Sequence, residues 1–305
     1  MVASPLVSVV MGVRNGGADL ADTLDSLTAQ QGVALEFIVV NDGSTDCTAD
    51  LLAEWSSRDP RLVVLQRSGR GLTAALIEGC QQARGTYLAR QDAGDCSLPG
   101  RFAAQVACLE ADPEASLCST FVRLRVPEGA TLTVNTPDEA TLADGLTGPA
   151  HHGAVMMRRS AYGQAGGYRL AFHYAQDIDL WTRLVELGRH RVIPHILYEA
   201  TLAPGSISGS RRQEQELFHS YIVNLTHARR QGLPEGSWLA KAEALSLRCK
   251  NAPAKGRRRG AANGAYFIAA CLENDHPQLA AKYFRQALEF DPLHMKARFK
   301  LSRLR

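Results

Sequence analysis

The first two-thirds of this 305-residue chain alternate short β-rich runs with helical patterns, and that rhythm limits the fold more than any other feature. Strands are expected over Leu6–Met11, Leu35–Val40, Leu62–Leu65 and Tyr87–Ala89, and helices over Leu20–Gln30, Asp46–Ser57, Leu72–Ala83 and Arg101–Ala111. Short turns between such elements predict an α/β fold, a mostly parallel sheet with helices on both faces. In such sheets ligands bind outside the carboxyl ends of the strands.

The rhythm breaks near Leu117. Residues 117–157 mix β-rich runs (Leu117–Val126, Thr131–Val134, Ala154–Met157) with loops, and a helix fits Ile178–Leu187. Beyond Gly209 the pattern is wholly helical, with breaks near Gly232 to Pro234, Pro253 to Gly260 and Asp291-Pro292. Charge divides in the same region: residues 1–206 carry −7 without a lysine, and residues 207–305 carry +10. Two modules are therefore expected, an α/β domain over 1–206 and a basic helical region over 207–305, meeting near Pro204 to Gly209. Ala280 to Pro292 resembles the second half of a tetratricopeptide repeat, and a single such unit must pack on its neighbours or a partner.

No apolar run approaches the roughly 20 residues of a membrane span. The first residues lack a basic stretch before their apolar run, so no signal peptide is expected. Seven scattered cysteines without a C-x-x-C pair suit reduced thiols in a cytoplasmic protein, not a disulfide framework or zinc site.

The strand ends carry the chemistry. Tyr87 to Ala89 runs into Asp92 and Asp95, two carboxylates three positions apart, before Pro99-Gly100-Arg101 opens a helix. Carboxylates there cost energy unless a cation meets them: a divalent ion, a sugar-phosphate with its metal, or Arg90 or Arg101. After the second strand, Asp42 fits an Asx turn, Ser44 or Thr45 a helix cap, and Asp46 the helix's positive end. Arg67 to Leu76 is a flexible turn entering a helix, where backbone N–H groups and Arg70 suit a diphosphate or a solvated loop alike. Asp177 and Asp179 suit an N-cap and a first-turn charge. His151-His152 has no other metal-ligand spacing around it, which points away from zinc.

Five strings, in order between Pro5 and Ser208, resemble those of family 2 glycosyltransferases. Val7 to Gly16 resembles V-S-V-I-M-P-V-Y-N-G, with Gly12 for Pro and Arg14 for Tyr. Val40 to Asp46 resembles V-D-D-G-S-T-D, with Asn41 for the first Asp, and Arg67 to Leu76 holds its place before the acidic signature. Asp92 to Asp95 resembles D-A-D-D, with Gly94 for the middle Asp. His151 to Arg159, Gly166-Gly167-Tyr168 and Ala175 to Leu184 resemble H-G-T-V-M-F-R-R, G-G-Y and A-E-D-Y-D-L-W-L-R-L, with Gln176 for Glu.

The resemblance implies a GT-A-like fold and an inverting transferase of the hexosyl or N-acetylhexosaminyl class. It would move a sugar from a nucleotide-diphospho-sugar to a hydroxyl acceptor in surface polysaccharide or glycolipid synthesis. It assigns the general base to Asp177 and a Mn²⁺ or Mg²⁺ ligand to Asp95. Donor contacts fall to Val13, Arg14, Asn15, Asp42, Arg70, Gly71, Arg90 and Asp92, and the acceptor side to His152 and Trp181. UDP is the first expectation for the nucleotide. The carboxylates missing at Gly94 and Gln176 keep a second reading open, a non-catalytic nucleotide-sugar-binding or adaptor protein. Residues 1–206 contain no G-x-G-x-x-G and no lysine precedes Lys241, which removes dinucleotide and P-loop folds and disfavours a nucleotidyltransferase. The basic tail suits an anionic membrane bearing a lipid-linked acceptor, so the expected location is cytoplasmic, peripheral at the inner membrane face. Nucleic acid is not expected, because no aromatic-basic motif accompanies the charge.

Overall fold

A computed structural model describes residues 5–17, 19–134, 148–202, 211–251 and 257–304. β1 (Val7–Val13), β2 (Leu35–Asp42), β3 (Leu62–Arg67) and β4 (Tyr87–Arg90) pair in parallel in the order β3-β2-β1-β4. Side chains alternate between two layers, as the strand period of two requires. Val9, Met11, Phe37, Val39 and Ala89 face one core with Leu20, Leu24 and Leu27 of α1 (Asp19–Thr28), Leu52 of α2 (Thr48–Arg58) and Phe102 of α4 (Arg101–Ala111). Val10, Ile38 and Leu88 face the other, against Leu76 of α3 (Leu72–Gln82), Ala161 of α5 (Arg159–Gln164) and Leu180 of α6 (Gln176–Leu184).

The remainder of the sheet is mixed rather than parallel. β8 (Val155–Arg158) joins β4 antiparallel, and β6 (Ala115–Arg125) follows antiparallel to β8. β9 (Arg189–Thr201) lies parallel to β6, while β5 (Cys96–Ser97) and β7 (Thr131–Val134) pair antiparallel with β9 and β6. β9, β5 and α5 are additions to the sequence expectation. The register jumps from Thr120↔Ile193 to Phe121↔Ile196, so Pro194 sits at an irregularity in the ladder. Proline cannot donate to a ladder and is tolerated at such a bulge.

Beyond Arg211 the described residues form α7 (Arg212–Arg230), α8 (Gly236–Lys250), α9 (Arg257–Leu272), α10 (Pro277–Phe290) and α11 (Met295–Arg303). The breaks at 232–234 and 291–292 fall where expected, and a further one lies at 273–276. The expected boundary at Pro204 to Gly209 lies outside the described residues, as do residues 252–256 and Arg305. Arg258 and Arg259 belong to α9, not to a break.

The helices pack on the α/β part at two places. Phe218, Ile222 and Leu225 of α7, with Ala242 and Leu245 of α8, enclose Ala171, Phe172 and Ala175. Ile268, Leu272, Tyr283 and Phe284 of α9 and α10 close over Val126 and Leu202, and Lys282 and Tyr283 both bond Glu128. Phe218 is fully buried, and its ring lies 5.9 Å from that of Phe172 at a tilt of 59°. Phe218→Ala is expected to cost about 3–5 kcal/mol in denaturant unfolding. An unchanged unfolding midpoint would contradict this packing.

Candidate active site

Beyond the end of β4 the two expected carboxylates meet. Arg90 Nη2 donates to Asp92 Oδ1 at 2.7 Å. Asp95 is nearly enclosed: the Tyr198 hydroxyl donates to its Oδ2 at 2.9 Å and the Thr201 N–H to its Oδ1 at 3.0 Å. The same hydroxyl accepts from the Asp92 N–H at 3.1 Å, so one side chain of β9 fixes both acids. His151 stands over the pair, with Nδ1 3.9 Å from Asp92 Oδ2 and Nε2 3.8 Å from Asp95 Oδ2. Its Nδ1 accepts from the Gly153 N–H at 3.1 Å. A Cβ at Gly153 would lie 1.9 Å from the Tyr198 hydroxyl, so only glycine allows this approach.

Potential ligand atoms of Asp92, Asp95 and His151 all lie within 4.8 Å of one another. His151, but not His152, thus joins Asp95 and Asp92 in a group that could hold a metal ion, a ligand the sequence reading did not assign. His151 finds its partners in the acidic loop 56 to 59 residues earlier in the chain, a relation no local spacing reveals. Gly94 has φ +91°, and a Cβ there would meet no atom within 4 Å. Backbone conformation, not crowding, therefore favours glycine in this turn, and the third donor comes from His151. Two carboxylates with one imidazole suit Mn²⁺ better than Mg²⁺, which prefers an all-oxygen shell.

The environments separate the acids. Burial raises the Asp92 carboxyl, but Arg90 beside it, together with His152, His151 and Arg101, holds it below its usual value. Burial pushes Asp95 up to about 6, and the neighbouring Asp92 charge adds to the rise. Asp177, in the first turn of α6, is raised by burial and further by Asp92, against a backbone bond from Ile178. Asp179 is fully buried and paired with Arg169 and Arg183.

Asp42 lies between β2 and the loop before α3. Its Oδ1 accepts the Arg70 N–H and its Oδ2 the Gly71 N–H, each at 2.7 Å. These two amides therefore hold Asp42 rather than pointing at an open anion site. Arg14 and Arg70 remain exposed on the same rim, with Arg14 beside Gly69. Ser44 and Thr45 are not helix caps. The Ser44 hydroxyl accepts from Asn15 N–H, the Asn15 side-chain oxygen accepts from Thr45 N–H, and Asp46 bonds Thr48 at the start of α2. The side chain of Val13 belongs to the core, leaving only its backbone toward the rim.

Arg90 is 1% exposed, donating to the Val10 and Gln91 carbonyls and at 3.2 Å to His152 Nε2, so it reaches the site through Asp92. His152 is buried too. Its Nε2 lies 2.7 Å from the Tyr168 hydroxyl, its ring meets Trp181 edge-on at 6.0 Å, and burial lowers its pKa to about 3. Trp181 packs against Gly148, and its buried Nε1 has no hydrogen-bond partner among the described residues.

Sequence reasoning also missed a clamp behind Asp177. Thr73 Oγ1 donates to the Phe172 carbonyl at 2.7 Å. Ser246 of α8 donates to the Ala171 carbonyl at 2.6 Å and accepts from the His173 N–H at 2.9 Å.

Comparison with known proteins shows the family and the fold. Residues 8–166 match the family described as Glycosyl transferase family 2. A putative glycosyltransferase, EpsE of Bacillus subtilis (strain 168), is 35% identical over 62% of this chain and 69% of its own length. Two solved structures share the fold: S. aureus TarS 1-349 in complex with UDP-GlcNAc, and the mannosyltransferase PcManGT from Pyrobaculum calidifontis with GDP-Man and Mn²⁺. The first has TM-score 0.58 at 15% identity, covering 98% of this chain and 88% of that one. The second has TM-score 0.57 at 18% identity, covering 99% and 85%.

Tyr198→Phe leaves Asp95 and the Asp92 amide without a shared partner. It is expected to weaken Mn²⁺ binding by about 10- to 100-fold in calorimetry. Equal affinity in the variant would show that Tyr198 does not order the ligands. A metal competes with the proton on Asp95, so Mn²⁺ affinity is also expected to fall as pH drops through about 6. A flat titration between pH 5 and 7.5, about the span around that value, would count against Asp95 as a ligand.

Proposed function

We propose that this chain, which belongs to glycosyl transferase family 2, is an inverting glycosyltransferase acting on a nucleotide-diphospho-sugar and a glycan or lipid-linked hydroxyl acceptor. The observation that carries the reading is the convergence of Asp92, Asp95 and His151, with Asp177 close enough to feel the Asp92 charge. The ligands named for TarS and PcManGT, UDP-GlcNAc and GDP-Man with Mn²⁺, support a donor of this class. A UDP-sugar is the donor to test first.

The nucleoside would lie over the ends of β1 and β2, with Asp42 on its base and Arg14 and Arg70 on the rim toward the diphosphate. Asp92, Asp95 and His151 would hold the divalent cation, which when bound supplies positive charge beside the leaving diphosphate. Asp177 takes the proton of the acceptor hydroxyl. The freed oxygen attacks the anomeric carbon from the side opposite the diphosphate, whose bond to the sugar breaks. A buried carboxylate with a raised pKa is a stronger base than a solvated one, which suits Asp177 to this step. Trp181 and, behind it, His152 would line the acceptor side.

Asp177→Asn keeps the shape but cannot take the proton. Turnover is expected to fall by roughly 10² or more while calorimetric UDP affinity stays unchanged. Near-normal turnover would remove Asp177 as the base. Donor binding without transfer to any acceptor by the unaltered protein would favour the non-catalytic reading instead.

A further inference from the structure

The last helix presents two unlike faces. Ala297 of α11 is fully buried, and Leu301 and Leu304 pack beside it against the core of α9 and α10. The opposite face is apolar but exposed: Met295 is 71% and Phe299 60% accessible, and Leu293 in the preceding turn 78%. With 3.6 residues per turn, Met295, Phe299 and Ser302 form the centre of this outer face. Arg298 flanks it on one side, and Lys296 and Arg303 on the other. Arg303 lies 5.7 Å over the Phe299 ring. α11 contains no acidic residue. Glu273 pairs with Lys300, Asp291 accepts the Leu293 N–H, and Glu289 is exposed near the end of α10.

We infer that this face seats the protein on an anionic lipid bilayer. Leu293, Met295 and Phe299 would enter the boundary between headgroups and acyl chains, and Lys296, Arg298 and Arg303 would meet the headgroup phosphates. Charge complementarity decides the occupant. An apolar strip edged by long cationic side chains matches the layered chemistry of a bilayer surface, with negative headgroups above hydrocarbon. The +10 of residues 207–305 draws that region to the same surface. No helix among the described residues is long and apolar enough to cross a membrane, so the contact is interfacial. The inference does not depend on the catalytic reading.

The test uses the full chain and vesicles of phosphatidylcholine with and without phosphatidylglycerol, with co-sedimentation as the readout. The protein is expected to bind only the anionic vesicles at low salt. Each cation is expected to contribute about fivefold to partitioning, screened as salt rises. The combined variant Leu293→Ser, Met295→Ser, Phe299→Ser should lose at least about tenfold in partitioning, with unfolding temperature and UDP affinity unchanged. A second variant, Lys296→Glu with Arg298→Glu, should lose binding to the anionic vesicles. Failure of the unaltered protein to bind them overturns the inference, as does wild-type binding by the serine variant. A concentration-dependent dimer that the serine variant abolishes also overturns it, because a second copy then covers the face.

Discussion

One buried guanidinium organises the site. Arg101 is fully buried at the start of α4, and no carboxylate pairs with it among the described residues. It gives Nε to the Gln105 side chain, Nη1 to Gln91 and Ser97, and Nη2 to the carbonyls of Arg90 and Gly153. Burying a charge costs several kcal/mol, and burial here lowers the group's pKa to about 10. Neutral acceptors around the whole fork offset that cost, helped by the faces of Tyr198 and Phe102, each 4.8 Å away. The acceptors belong to the end of β4, the acidic loop, α4 and the turn after His152. Arg101 thereby sets the spacing between the loop that carries Asp92 and Asp95 and the turn that carries His151. A lysine has one point of attachment and cannot reach all five.

Around that frame, environment gives similar carboxylates different properties. Asp92 stays ionised because Arg90 lies beside it, whereas Asp95 and Asp177 are raised by burial. Such opposed shifts in neighbouring acids are what the proposed division between charge-holding and proton transfer requires. Structural acids show the contrast: Glu36 is also buried, but Ser8 and Arg84 bond it and bring its pKa down. Among the described residues no cationic side chain is bonded to Asp177, so backbone bonds and the nearby His151 only partly oppose the burial effect.

The parallel half of the sheet was legible because its signals are local. Short, nearly continuous apolar runs in β1, β2 and β4, followed by polar turns, suffice to place Asp42 and Asp92 at strand ends. β9 was not legible. Arg189, His190, Arg191, Pro194 and His195 break its alternation, and it is a strand only because β6 offers a ladder that tolerates the irregularity at Pro194. Missing β9 meant missing Tyr198, and with it the hydroxyl that joins the two acids. His151 was visible as a residue but not as a neighbour of Asp95, because the contact exists only after β8 pairs with β4. Likewise Ser44 and Thr45 had the chemistry of caps, yet Asn15 across the rim takes both.

The helical region bears on the same chemistry. Ala175, just before α6, has φ 59°, a left-handed conformation that costs a residue with a Cβ about 1–2 kcal/mol. It persists because Phe218, Ile222 and Leu245 enclose Ala171, Phe172 and Ala175, while Ser246 and Thr73 fix the backbone on either side of Phe172. The bend at Ala175 turns the chain into α6 and sets where Asp177 begins. Thr73 belongs to the helix that follows the Asp42-bound loop, so the same few bonds link that loop to the Asp177 segment. Charge separates the two parts of the chain, but α7 and α8 supply the packing that keeps a strained residue next to the proposed base. A chain with the α/β part alone would lack Ser246 and the apolar cover of Phe172, and nothing else among the described residues replaces them.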